Sequence, residues 1–264
     1  MSKRTEAAFA RCQAENRAAF IPFVMAGDPS AAATLATLNI LVESGADIIE
    51  LGIPFSDPMA DGPIIQTAGL RALEAGMTLH GVLAIAEQFR AAHPDVPLVL
   101  MGYLNPVYVY GYETFARDAA EAGVDGIIIV DVPPEEAQEI EPVLSAKQID
   151  FVRLIAPTSI ADRLPLLAKN AGGYLYYISI AGITGAASAP AQQIAENVAA
   201  IRAHTKLPIC VGFGVKTAAD VKSLAPLADG VVVGSAIVKM LHDTQQDLAK
   251  VGAFVCELVA GCRR

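Results

Sequence analysis

Short, almost continuously apolar runs recur along the chain. Longer stretches separate them, with apolar residues spaced as on one face of a helix. The runs lie at 20–25, 47–53, 98–103, 125–130, 151–155, 174–180, 208–213 and 230–234. That pattern predicts strands buried on both faces, as in a parallel sheet, rather than the strict alternation of a half-exposed one. Between them the spacing predicts helices over 31–43, 79–92, 112–121, 134–146, 191–203 and 218–224, and a further helix over 2–15 before the first strand. Start and stop signals agree: Asp28-Pro29-Ser30 precedes the first of these helices, and Gly45, Gly76 and Gly123 follow others. About eight strand–helix units with no linker-like tract predict an α/β fold, a (β/α)8 TIM barrel. It would form a single domain over 1–264, with the extra N-terminal helix closing the floor. A doubly wound open sheet is the rival. It usually carries G-x-G-x-x-G after its first strand, where this chain reads Met25-Ala26-Gly27-Asp28-Pro29.

A barrel places its chemistry at the C-terminal ends of the strands and in the loops that follow. Two carboxylates stand out there, in the stretch IELGIPFSDPMADG from Ile49 to Gly62. Glu50 lies inside an apolar strand, where ionisation is costly unless the group has a partner or a chemical task. Asp61 lies past Pro54 and Pro58 in a loop with turn chemistry. Each also has a plainer reading. Glu50 fits a buried partner for a lysine or arginine, and Asp61, before Gly62, fits a turn residue. Two carboxylates in different environments are nonetheless the raw material of acid–base chemistry. Tyr103, Tyr174 and Tyr176 fit either core aromatics with a satisfied hydroxyl or the lining of a pocket.

Glycines supply the next signal. Gly182-Ile183-Thr184-Gly185, Gly212-Phe213-Gly214-Val215 and Val233-Gly234-Ser235-Ala236 follow the sixth, seventh and eighth strands. Backbone N–H groups there, with a short helix starting at Ser235, predict a phosphate cradle at the usual barrel position. Tight turns alone would also use glycine, but two of the segments fall after the seventh and eighth strands. His80, His93, His204 and His242 fall on helices or helix ends and read as surface. Lys216 is the one lysine near a strand end, so a Schiff-base aldolase lacks a placed nucleophile. No His/Asp/Glu cluster has metal-ligand spacing.

Composition narrows the class. Apolar residues make up 53% and the formal net charge is -9, which argues against nucleic acid as a partner. Cys12, Cys210, Cys256 and Cys262 show no metal or disulfide spacing and read as free thiols. No apolar run reaches membrane-spanning length, and the charged start has no apolar stretch after it, so a soluble cytoplasmic protein is expected.

Together these residues resemble the tryptophan synthase α-subunit family over almost the whole chain. The resemblance rests on the E-L-G, F-S-D-P and A-D-G of Ile49 to Gly62. It extends to PFVMAGDP from Pro22, GPIIQ from Gly62, Arg71-Ala72-Leu73, YLNP from Tyr103, VDVP from Val130, Gly182 to Gly185 and GVVVGS from Gly230. It implies a lyase of tryptophan biosynthesis, which cleaves indole-3-glycerol phosphate by a retro-aldol reaction to indole and glyceraldehyde 3-phosphate. It makes Glu50 the general acid/base and Asp61 the acceptor of the indole N–H. Phe23 and the apolar strand ends would hold the indole, Tyr176 matches the family's active-site tyrosine, Tyr103 is a further candidate for substrate binding, and Gly185, Gly214, Gly234 and Ser235 would bind phosphate. Thr184 would close over the substrate and contact Asp61. Two departures from the family pattern are Ile180-Ala181, where a basic residue is common, and Met25-Ala26 after Phe23. The implied assembly is an αββα complex, with pyridoxal phosphate in the β subunit and no cofactor in this chain. The loops holding Pro54, Asp57 and Pro58, and Asn105 to Tyr110, would face that partner. The alternatives are another phosphate-binding barrel acting on a sugar phosphate, and a catalytically weak subunit serving as an allosteric partner.

Overall fold

Strands form in each predicted run, slightly trimmed, and every ladder is parallel. The computed structural model describes residues 1–159, 163–179, 191–212 and 214–264. The strands are β1 (Ala19–Met25), β2 (Ile49–Gly52), β3 (Leu98–Gly102), β4 (Gly126–Ile129), β5 (Asp150–Phe151), β6 (Arg153–Ile155), β7 (Leu175–Ile178), β8 (Ile209–Gly212) and β9 (Gly230–Val233). Their order is β5-β4-β3-β2-β1-β9-β8-β7-β6. β5 and β6 are two halves of one predicted run, separated only by Val152. The first half bonds to β4 and the second to β7, and the Val152 N–H donates to the Ile127 carbonyl at 3.0 Å. The sheet therefore closes on itself, and the nine segments make the eight staves of a barrel.

Alternation sorts side chains between two cores. Ile49 and Leu51 of β2 face the helical layer, while Ile48 faces the lumen with Ile21, Val99, Ile128, Tyr174 and Val232. The lumen is a packed core and not a pore. Its floor is closed by the helix Lys3–Ala14, capped by the Ser2 hydroxyl. Ala8, Phe9 and Cys12 join the lumen cluster, and Phe9 meets Tyr174 edge-on with centroids 6.0 Å apart.

The helices differ from the sequence expectation in informative ways. The span 134–146 breaks into a 3₁₀ turn, Pro134–Glu136, and a helix, Glu141–Ala146, because prolines open both pieces and remove backbone donors from any joined helix. Helices Pro63–Glu74, Leu104–Tyr110, Leu164–Ala168 and Leu248–Ala260 appear where none was predicted. Pro63 stands at the first helical position, where its fixed φ suits the start of a helix, although Gly62-Pro63 looks like loop by composition. His80 and His204 are exposed, as expected, whereas His93 is half-buried and bonds Asn39 at 2.8 Å. Cys256 is exposed and the other three cysteines are buried.

Candidate active site

β2 delivers Glu50 into the lumen, on the same face as Ile48. Its side chain is fully buried. The Tyr174 hydroxyl donates to Oε1 at 2.5 Å, and Oε2 has no hydrogen-bond partner. Among the described residues no cation pairs with it. Burial pushes the carboxyl up to about 7, with the tyrosine bond pulling the other way. The reading of Glu50 as a buried partner for lysine or arginine is therefore displaced. A carboxyl whose protonated form burial favours, and which holds one unpaired oxygen, is suited to moving a proton.

Asp61 reaches the site from the loop after β2, and three contacts shape its approach. Its N–H donates to the Pro58 carbonyl at 3.0 Å, the Gln66 side-chain amide donates to its carbonyl at 2.8 Å, and the adjacent Ala60 N–H donates to the Tyr103 hydroxyl at 3.1 Å. Burial pushes its carboxyl up to about 6, against the Tyr103 hydroxyl, which favours the ionised form. Asp61 lines a small cleft together with Phe23 and Met25 of β1, Ile53, Met101 and Gly102, Tyr103 and Val130. The cleft is mostly apolar, and Asp61 is the one carboxylate among its lining residues. Phe23 and Tyr103 thus share this cleft with Asp61.

On the far side of the lumen, β7, β8 and β9 supply the remaining pieces. A Cβ at Gly212 would lie 2.5 Å from the Tyr176 hydroxyl, so only glycine lets that ring lie across β8. Gly214 has φ +78°, a left-handed turn that suits glycine. Gly234 caps the helix Ser235–Asp243, so Gly214 and Ser235 follow neighbouring strand ends. The first-turn N–H groups of a helix lack intrahelical acceptors and attract anions. Thr184, Gly185 and Phe213 lie outside the described residues. No group of three or more metal-ligating side chains forms among the described residues.

A family model described as the tryptophan synthase alpha chain matches residues 9–261. The chain belongs to the tryptophan synthase alpha chain family. Solved structures agree along its length. Tryptophan synthase from M. tuberculosis in an aminoacrylate-bound form is 38% identical, with 99% of this chain and 100% of that chain covered and a TM-score of 0.90. The alpha subunit from Legionella pneumophila str. Paris is 37% identical, with 99% of each chain covered and the same TM-score. A structure from Aquifex aeolicus VF5 is 37% identical over all of both chains, with a TM-score of 0.92. The family's activity is that of an indole-3-glycerol-phosphate lyase of tryptophan biosynthesis, and it is the activity of this chain. The separate sugar-phosphate reading is set aside by this membership.

Two functional features escaped the sequence. Tyr174 and Tyr176 share a face, so strand parity could not tell which one bonds Glu50. Gln66 sits on the helix Pro63–Glu74, which the spacing does not predict, and its one sequence signal is its place in the GPIIQ stretch that resembles the family.

Proposed function

We propose that Glu50 and Asp61 carry the lyase reaction in this chain. Cleavage of the bond between indole carbon 3 and the side chain requires a proton on carbon 3 and loss of the proton from the side-chain hydroxyl. The electron pair of the hydroxyl O–H bond becomes the aldehyde carbonyl, and that of the broken carbon–carbon bond returns to the indole ring. Glu50 serves as acid for carbon 3 and base for the hydroxyl. The single observation supporting this most is its unpaired Oε2 within a wholly buried carboxyl held near neutrality. Asp61 acts as a carboxylate. It accepts the indole N–H and stabilises positive charge on the ring as carbon 3 becomes tetrahedral. Phe23 and Tyr103 hold the indole, and Tyr176 bounds the lumen beside it. Gly214, Gly234 and Ser235, with Gly185 and Thr184 by resemblance, take the phosphate end.

The chain works with a tryptophan synthase β subunit. Of the two segments expected to meet it, the one from Asn105 to Tyr110 is helical rather than a loop. Its exposed Tyr108 and Val109, with Met59 beside Pro58, form apolar surface that a partner would cover. Pyridoxal phosphate belongs to that partner. The purified chain should show no visible-band chromophore, and stoichiometric pyridoxal absorbance would overturn the assignment. No helix among the described residues is long and apolar enough to cross a membrane, in keeping with a cytoplasmic site of action.

The test is indole release from indole-3-glycerol phosphate with the β subunit present, comparing wild type with Glu50→Gln and Asp61→Asn. Near-total loss in both variants, with folding intact, supports the two roles. Full turnover in either removes that residue from the chemistry.

A further inference from the structure

Asp61 sits on a loop, yet its task demands a fixed direction toward one N–H. The structure shows what fixes it. Gly62 caps the helix Pro63–Glu74, so Asp61 lies one residue outside a helix start. One turn into that helix, Gln66 holds both ends of this junction. Its backbone N–H donates to the Gly62 carbonyl at 2.9 Å, and its side-chain amide donates to the Asp61 carbonyl at 2.8 Å. Further along, Arg71 makes a two-pronged ion pair with Asp28, at 2.7 and 2.6 Å. Asp28 belongs to the loop after β1, the strand that supplies Phe23 and Met25 to the cleft. Its carboxylate is 8% exposed and the Arg71 side chain 25%, so the pair is shielded rather than loose in solvent. A planar guanidinium gripping both carboxylate oxygens fixes orientation as well as distance.

We infer that Gln66 and the Asp28–Arg71 pair are positioning residues for Asp61. Arg71 locks the Pro63–Glu74 helix to the loop of β1, and Gln66 transmits that lock to the Asp61 backbone. The wall that grips the indole ring and the carboxylate that meets its N–H are thereby held as one unit. The inference rests on the role assigned to Asp61 above. None of the three residues touches the cleft, so none is itself catalytic.

The experiment uses the complex with the β subunit and measures kcat and KM for indole-3-glycerol phosphate. Gln66→Met removes the side-chain bond at a half-exposed position, where folding is not at stake. Arg71→Met and Asp28→Asn break the pair. The expected result is a fall in kcat of roughly tenfold or more in each, since small misplacements of a catalytic group are costly. KM should stay close to wild type, because the ring wall and phosphate cradle are intact. Arg71→Met combined with Asp28→Asn should lose no more than the worse single variant, as expected of two residues acting as one unit. Arg71→Lys, which keeps the charge without the fork, should recover part of the loss.

A purely structural role would lower the melting temperature and leave the kcat of folded protein unchanged. That outcome, or a raised KM with normal kcat, overturns the inference. If Arg71→Met does not fold, Gln66→Met decides alone. Asp61→Asn separates the two proposals. If Asp61→Asn is inactive while Gln66→Met and Arg71→Met are normal, only the positioning role fails. If Asp61→Asn is itself active, the role of Asp61 fails first.

Discussion

The two ends of the barrel treat buried carboxylates in opposite ways. At the floor, Asp47 is 3% exposed, much like Glu50 three residues later in the same apolar run. Arg17 grips both oxygens of Asp47 at 2.5 and 2.8 Å, Arg11 adds a bond at 2.9 Å, and the Phe20 N–H adds another at 2.9 Å. Burial pushes this carboxyl up, but the bonds from Arg17, Phe20 and Arg11 outweigh it and hold the group below its ordinary value. Asp125 repeats the arrangement with Arg4, Arg90, the Ser2 hydroxyl and the Leu98 N–H. Further up the lumen, Glu50 has one tyrosine and an unpaired oxygen. A saturated carboxylate has no lone pair to offer a substrate and no reason to change protonation. An unsaturated one keeps both abilities, at a cost in stability.

Substitutions can break this contrast from either side. The largest effect is expected at Glu50. Glu50→Gln should lower lyase turnover by roughly 10²–10⁴-fold, the range of a lost proton-transfer group, while the protein stays folded. Asp47→Asn should do the reverse, leaving turnover per folded molecule intact while lowering stability. Steady-state assays paired with urea melts would show it, and loss of turnover in folded Asp47→Asn would undo the division.

Next comes Arg17→Met, which leaves Asp47 buried with fewer partners. It should destabilise the fold by about 3 kcal/mol, the low end for breaking a buried pair because Arg11 and the Phe20 N–H remain. A change below ~1 kcal/mol in a urea melt would mean that the floor network is not structural.

The pH dependence of stability sharpens the comparison. A carboxyl raised on folding binds its proton more tightly in the native state, so Glu50 erodes stability as pH climbs from about 4.5 to about 7. Removing that group should leave Glu50→Gln on the order of 3 kcal/mol less sensitive to pH over this window. Asp47, lowered on folding, contributes in the opposite sense. Its stabilisation is present above its ordinary value near 3.8 and is lost as pH falls through the folded value. Parallel stability curves for wild type and Glu50→Gln from pH 5 to pH 8 would contradict the raised value.

The smallest effect is expected from Tyr174→Phe. Losing one hydrogen bond to the carboxylate costs about 1 kcal/mol and lets burial push Glu50 higher still. The turnover–pH profile should shift upward. A downward shift would show that the tyrosine opposes ionisation rather than favouring it.

Much of this was legible along the chain. Glu50 betrays itself because an acidic residue in a doubly buried strand has few inexpensive explanations. Asp61, Gly214, Gly234 and Ser235 follow from the rule that barrel chemistry lies after the strands. Local spacing also determined the strand runs, the N-terminal helix and most other helices, since both periodicity and capping act within a few residues. Other features depend on residues distant in sequence. Nothing near Asp47 announces that Arg11 and Arg17 converge on it, so only the closed barrel separates its fate from that of Glu50. Tyr174 and Tyr176 carry the same pattern, and only the lumen's geometry gives one to Glu50 and lays the other across Gly212. Asp28 and Arg71 stand 43 positions apart, and their pairing exists only once the loop of β1 meets the Pro63–Glu74 helix. Sequence decides which groups are buried, because burial follows the local runs and spacing of apolar residues. Tertiary structure decides which buried groups are satisfied, because their partners come from strands and helices that only the closed barrel brings together.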